Sequence, residues 1–296
     1  MPFDRDTRPL IFGEVLFDVF ADGETLGGAP FNVAWHLQAF GRAPLFISRI
    51  GEDARGRAIT TAMSDWGLDT SGLQWDATAP TGVVRVQLLD GEPSYDIVSD
   101  QAYDRIQIGQ LPPLPQNALL YHGSLALRGA VSRAALEELV DRFDPAVFID
   151  ANLRDPWWDT EAVRRMLSRA TWAKLNAAEL AALVRPGPHP DGPAEALREA
   201  HGLETLIITE GSAGAFAIGR SGPLGRTRPA RGIRVVDAVG AGDAFAAVLI
   251  LGLICDWSTQ VTLDRAQSFA SAVVGRRGAT VRDPDFYAPF IAAWGL

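Results

Sequence analysis

The chain of 296 residues has one cysteine, Cys255, so no internal disulfide can staple it, and its apolar neighbours mark it as a small buried hydrophobe. Lysine is as scarce. Lys174 stands alone among 27 basic residues, so a phosphate site here must draw on arginine, backbone N–H groups and metal far more than on lysine. A phosphate loop ending in Gly-Lys-Ser/Thr is absent from the sequence. Long apolar runs are missing too: the longest, Ala244 to Cys255, contains Gly252 and stops at Asp256, short of the roughly 20 residues that span a bilayer. The N-terminal MPFDRDTRPL has no apolar segment before a cleavage site, so the expectation is no signal peptide and a cytoplasmic location. Excess positive charge is lacking as well. A net charge of -9 opposes attraction to nucleic acid or acidic lipid, and neither is expected as a partner.

What is present is a chain 47% apolar, enough for one large core, with no internal repeat or low-complexity tract, read as a single domain over 1–296. Short apolar runs such as LIFGEVLFD, PLFISRIG, AVFIDAN and TLIITEG alternate with helical patterns such as NVAWHLQAF, ARGRAITTAMSDWG and TEAVRRMLSRA. That alternation predicts an α/β fold with a mostly parallel central sheet flanked by helices on both faces. Residues 81–106 break the pattern, alternating apolar and polar around Asp90-Gly91 as a hairpin does. With the stretch 14–26, the segment 82–106 makes either a small β lid over a cleft or an edge hairpin of the main sheet; periodicity leaves both open. LPPLPQ at 111–116 reads as a connector, and RPGPHPDGP at 185–193 as an exposed loop.

The stretch VVDAVGAGDAF carries the chemistry. Gly240 and Gly242 free the backbone to approach a ligand, and the apolar helix after them presents unpaired N–H groups to an anion. Taken alone, Asp243 is a first-turn acid that stabilises a helix. Beside an anion hole it makes more sense as the base that takes a proton from an attacking hydroxyl during phosphoryl transfer.

DAVGAGD at 237–243 resembles the C-terminal signature Asp-Thr-x-Gly-Ala-Gly-Asp of the ribokinase-like, phosphofructokinase-B-type carbohydrate kinases, with Ala238 in place of threonine. GGAPFNVAWHLQAFG at 27–41 with ISRIGEDARG at 47–56 resembles the family's first signature, in the form found in bacterial fructokinases. The resemblance covers nearly the whole chain and implies a ribokinase-like fold with a small β-sheet lid. It implies ATP-dependent transfer of the γ-phosphoryl group to a sugar hydroxyl, with fructose as first choice. A 2-keto-3-deoxygluconate kinase, another sugar or nucleoside kinase, and a non-catalytic sugar- or nucleotide-binding regulator on the same fold are the alternatives.

Residue by residue, the resemblance makes Asp243 the catalytic base and the amides of Gly240, Ala241 and Gly242 the anion hole. Asp18, ending GEVLFD, and Gly28 and Asn32 fall on sugar-contacting positions; alone, Asn32 reads as a helix N-cap before VAWHL. KLNAAEL matches an Asn-x-x-Glu element, which implies that Asn176 and Glu179 hold Mg²⁺ through water; alone, Glu179 reads as a solvated helix acid. DANLRDPWW implies that Arg154 approaches phosphates or substrate, as the only side-chain cation of the site; alone it reads as a surface salt-bridging arginine. Gly211 and Gly214 in ITEGSAGAF fall on the loop beneath the nucleotide. Some members bind a monovalent cation through Asp237 and carbonyls around GRRGA, but Arg282 replaces a small polar residue there, so K⁺ stays open. The implied partners are a small sugar and ATP, and the resemblance leaves monomer or homodimer undecided.

Overall fold

The computed structural model describes the chain apart from residues 1, 2, 4–6, 90, 91, 116, 117, 185, 186, 188–190, 231 and 233, and of 88, 89 and 92–94 it describes the backbone. The Asp90-Gly91 turn, Gln116 and most of the 185–193 loop therefore lie outside the described residues. In chain order come β1 (Leu10–Phe12), β2 (Leu16–Phe20), β3 (Gly23–Gly27), α1 (Ala29–Ala39), β4 (Leu45–Gly51), α2 (Ala54–Asp65) and β5 (Leu73–Asp76). The hairpin strands β6 (Gly82–Leu89) and β7 (Glu92–Ile97) follow. Then strand and helix alternate through β8 (Leu119–His122), α3 (Ala130–Phe143), β9 (Ala146–Asp150), α4 (Thr160–Leu167), β10 (Trp172–Asn176), α5 (Ala177–Leu183), α6 (Pro193–His201) and β11 (Thr205–Thr209). The C-terminal part holds β12 (Ala215–Gly219), β13 (Gly222–Thr227), α7 (Ala241–Ile254), α8 (Thr259–Val273) and α9 (Pro284–Trp294).

Nine strands form the main sheet in the order β13-β12-β11-β10-β9-β8-β1-β4-β5. From β11 to β5 all neighbours are parallel, and β12 and β13 add an antiparallel edge. Successive strand residues point to opposite faces, and both faces are covered. Ile11 and Phe148 pack with α1, α7 and α8, whereas Leu10, Phe12 and Val147 pack with α3, and Ile149, Leu206 and Ile208 with α4 to α6. Helix α7 is buried from Ala244 to Gly252 because its surface is apolar all round and it is sandwiched between α1 and α8. Cys255, expected to be buried, is half-exposed where α7 ends.

The order reverses at β1, whose neighbours lead one way to β4 and β5 and the other way to β8 and beyond. Such a switch point opens a crevice at the carboxyl ends of the strands. Over it stands a separate four-stranded sheet, β3-β2-β6-β7, in which β2 and β6 are parallel and the outer pairs antiparallel. The segments 14–26 and 82–106 thus form a sheet of their own, not an edge of the main one. The hairpin stops at Ile97, however: Ala102–Arg105 is a buried 3-10 turn pinned by Ser132, whose hydroxyl donates to Tyr103 O at 2.7 Å, and by the ion pair of Arg128 with Asp104. The small sheet has one dry face, with Leu16, Val84 and Ile97 buried, and one wet face, where Arg85 pairs with Asp96 at 3.1 Å.

Candidate active site

A cavity of about 680 Å³ lies between the two sheets, and its walls come from the carboxyl ends of the main strands, from the small sheet and from the start of α7. At α7 the first bond onto a carbonyl four residues back is Ala244 N to Gly240 O at 2.8 Å, so the amides of the first turn have no helical acceptor. Gly242 and Asp243 line the cavity with Gly240, while Ala241 is off the wall and its amide leans to Ala238 O at 3.4 Å. Gly240 adopts φ +80°, and a Cβ there would sit 2.3 Å from Ala279 Cβ. Only glycine fits. Asp237 is off the wall too; its Oδ1 accepts from Val239 N and its Oδ2 from Gly278 N, both at 3.0 Å, fastening the turn to the 275–279 loop.

Asn32 donates from Nδ2 to Oδ2 of Asp243 at 2.7 Å across 211 positions of sequence. The reading of Asn32 as a helix cap is corrected: α1 is capped by Gly28 and Asn32 is buried inside the helix. Gly28 has φ +111°, and a Cβ there would press to 2.7 Å from the Glu14 carbonyl, so the glycine lets α1 start against β1's end. Burial pushes the Asp243 carboxyl up to about 6; the Asn32 hydrogen bond opposes, Asp150 adds, and Lys174 and Arg154 oppose.

Asp18 on β2 faces the same cavity with Leu16, Val84, Tyr95 and Ile97 of the small sheet. Burial raises its carboxyl to about 6, against the opposing charge of Arg154. Arg154 is exposed and lines the cavity, and its charge is felt by Glu14, Asp18 and Asp243. It therefore sits toward Glu14, Asp18 and Asp243.

Arg154 is not the only cation, which corrects the sequence expectation. Lys174, in the middle of β10, lines the cavity with its Nζ 2.9 and 2.7 Å from the two carboxylate oxygens of Asp150. A Cβ built on Gly242 would lie 3.6 Å from that Nζ, so the ammonium adjoins the α7 turn. Burial works to lower the Lys174 pKa, and Asp150, with Glu179 and Asp243, more than reverses it. The signal in the sequence was the solitary lysine two residues before Asn176.

Asn176 and Glu179 line the cavity as a reciprocal cap of α5. Glu179 N donates to Asn176 Oδ1 at 2.9 Å, while the Glu179 oxygens accept from Asn176 N at 2.7 Å and Leu153 N at 2.9 Å. Glu179 is buried, not the solvated acid it resembled in isolation, and burial and then Asp150 raise its pKa. Among the described residues no group of three His, Cys, Asp or Glu is arranged to hold a metal. The residues still fit a metal bound chiefly through phosphates and water, as Mg²⁺ is. Gly211 and Gly214 lie beyond Thr209, which lines the cavity; neither glycine does, and a Cβ on Gly214 would strike Thr227 O at 2.0 Å.

Residues 1–285 match the family model of pfkB family carbohydrate kinases. The chain belongs to that family. A fructokinase of Klebsiella pneumoniae is 33% identical over 258 residues, 82% of this chain and 83% of the relative. An aminoimidazole riboside kinase of Salmonella typhimurium is 33% identical over 237 residues, 77% of this chain and 73% of the relative. The fold is shared with a Vibrio cholerae fructokinase solved with fructose, ADP and calcium, at a TM-score of 0.82 and 23% identity over 96% of this chain and 99% of that one. Among the described residues no helix is long and apolar enough to cross a membrane.

Proposed function

We propose that this carbohydrate kinase is a fructokinase that uses ATP and Mg²⁺. The hydrogen bond between Asn32 and Asp243 carries the reading, because it joins the sugar-side signature to the phosphoryl-side turn at one point of one cavity. Asp243, once ionised, accepts the proton of the attacking hydroxyl, and Asn32 fixes the carboxylate's orientation. The first-turn amides of α7 and the Lys174 ammonium receive the charge of the transferring group. The small sheet excludes water from above, and Asp18 accepts sugar hydroxyls. Mg²⁺ bound with the nucleotide would neutralise phosphate charge, and Asn176 and Glu179 would be the groups to hold its waters. Potassium enters only as an activator to be tested.

Charge supports a neutral sugar. Among the described residues the cavity is lined by six carboxyl groups, Glu14, Asp18, Asp150, Asp155, Glu179 and Asp243, against two cations, Arg154 and Lys174. An acid sugar placed among them meets like charge, and a bare nucleotide would too unless a divalent cation came with it. The relatives' names supply fructose and aminoimidazole riboside as acceptors to compare. Purified protein with ATP and Mg²⁺ is expected to show higher turnover per Michaelis constant for fructose than for 2-keto-3-deoxygluconate or aminoimidazole riboside. A reversed order rejects fructose. The enzyme is read as a cytoplasmic, single-domain monomer or homodimer.

A further inference from the structure

Glu14 is absent from the roles assigned so far. It follows β1 at the point where the strand order reverses, and it lines the cavity with Asp18, Gly28, Asn32 and Asp243. The close packing of Gly28 against the Glu14 carbonyl fixes its backbone. Its side chain is buried, 3% exposed, and its Oε2 meets no hydrogen-bond partner among the described residues. Oδ1 of Asn32 is in the same state, while the Asn32 amide nitrogen is committed to Asp243. A buried carboxyl oxygen without a partner is costly, and a binding site tolerates it where the ligand brings the partner.

We propose that Glu14 is a specificity-determining residue of the acceptor site, its carboxyl meeting a sugar hydroxyl as a neutral hydrogen-bond donor. The inference rests on the sugar-kinase reading above. The groups that act on Glu14 are Asp243 from α7, Arg154 from the loop after β9, and Arg128 from the turn after β8; Tyr103 and Tyr121 also feel its charge. Arg128 is engaged by Asp104 at 2.9 Å and stacks over Trp157. Burial, the largest influence, pushes the Glu14 carboxyl up to about 7; its own backbone amide opposes, Asp243 adds, and the two arginines oppose. A bound sugar displaces water and strengthens the repulsion between Glu14 and Asp243. Two carboxyls in one cavity then divide the labour: Asp243 ionises and acts as base, and Glu14 keeps its proton. A neutral carboxyl donates through its hydroxyl and accepts through its carbonyl, matching an alcohol that does both. It adds no further negative charge to a cavity already crowded with it.

The test is the sugar Michaelis constant of the full chain at saturating ATP and Mg²⁺ between pH 6 and 9, for wild type, Glu14→Gln and Glu14→Ala with fructose. Glu14→Gln is nearly isosteric and keeps a neutral donor, so its sugar Michaelis constant at pH 7 is expected within about threefold of wild type. The wild-type constant rises as pH passes about 7 and Glu14 loses its proton, whereas the Glu14→Gln profile stays flat there. Glu14→Ala raises the constant roughly tenfold or more and leaves that for ATP unchanged. If Glu14→Ala fails to fold, the two pH profiles decide alone. Glu14→Gln as impaired as Glu14→Ala would mean that the charge is required, as in an ion pair with Arg128 or Arg154, and overturns the inference. So does a Glu14→Ala protein with an unchanged sugar constant. A wild-type chain that phosphorylates no sugar removes the kinase reading and this inference together; wild-type turnover with an indifferent Glu14→Ala removes this inference alone.

Discussion

Lys174 and Asp150 form a buried ion pair on the cavity floor, with Nζ 2.9 and 2.7 Å from the carboxylate oxygens and side chains only 7% and 3% exposed. Removing one partner strands the other charge. Lys174→Met should therefore cost about 3–5 kcal/mol of stability, read by urea unfolding. Adding Asp150→Asn should recover most of that loss without recovering turnover, because the ammonium beside the α7 turn is still missing. Recovery of turnover in the double variant would show that Lys174 has no part in the chemistry.

Asn32→Ala deletes the hydrogen bond that favours the ionised form of Asp243. The carboxyl, already at about 6 through burial, moves higher, so a larger fraction is protonated and idle near neutral pH. The acid limb of the kcat profile should shift to higher pH, with turnover at pH 6.5 falling more than at pH 8. An unshifted limb would mean that Asn32 serves the sugar alone.

Glu179→Gln leaves one acceptor oxygen where two backbone amides, Asn176 N and Leu153 N, now bind. The expected results are a loss of about 1 kcal/mol from the α5 cap and an increased Mg²⁺ concentration for half-maximal activity, read by metal titration. An unchanged titration with a raised sugar Michaelis constant would assign Glu179 to the acceptor instead.

Asp18 tests the electrostatic cost of the site. Burial holds its carboxyl at about 6 in the folded chain against an ordinary 3.8, so the folded state binds the extra proton between those values and loses stability as pH rises through them. Asp18→Asn carries no charge to desolvate. It should melt higher than wild type at pH 8, by up to about 2 kcal/mol in stability, and no higher at pH 3.5, while fructose use is crippled. Equal melting at pH 8 would remove the burial argument.

The alternating runs showed the α/β fold because each parallel strand buried on both faces must be continuously apolar, as AVFID and TLIIT are. DAVGAGD marked the α7 turn because glycine is enforced there by φ and by Ala279. What lay hidden depends on where strands end relative to one another. Lys174 stands out as the solitary lysine, but only the pairing of β9 with β10 sets it opposite Asp150. Asn32 resembles a cap because its neighbours are helix formers, yet the helix begins earlier, at GGAP, and turns the amide inward. Glu14 sits inside GEVLFD without distinction; its signal is burial without a partner, which no local pattern encodes.

Asp243→Asn is the most direct test of the central claim that this carboxylate is the base of a sugar kinase. The change is nearly isosteric and still offers Asn32 an acceptor oxygen. The variant should fold, melt no lower than wild type at pH 8, for the reason given for Asp18→Asn, and bind ATP as wild type does. Its turnover of fructose at pH 8 should fall by about 10²–10⁴, the range of general base catalysis. Turnover within a few-fold of wild type, in protein shown to be folded, would contradict the account.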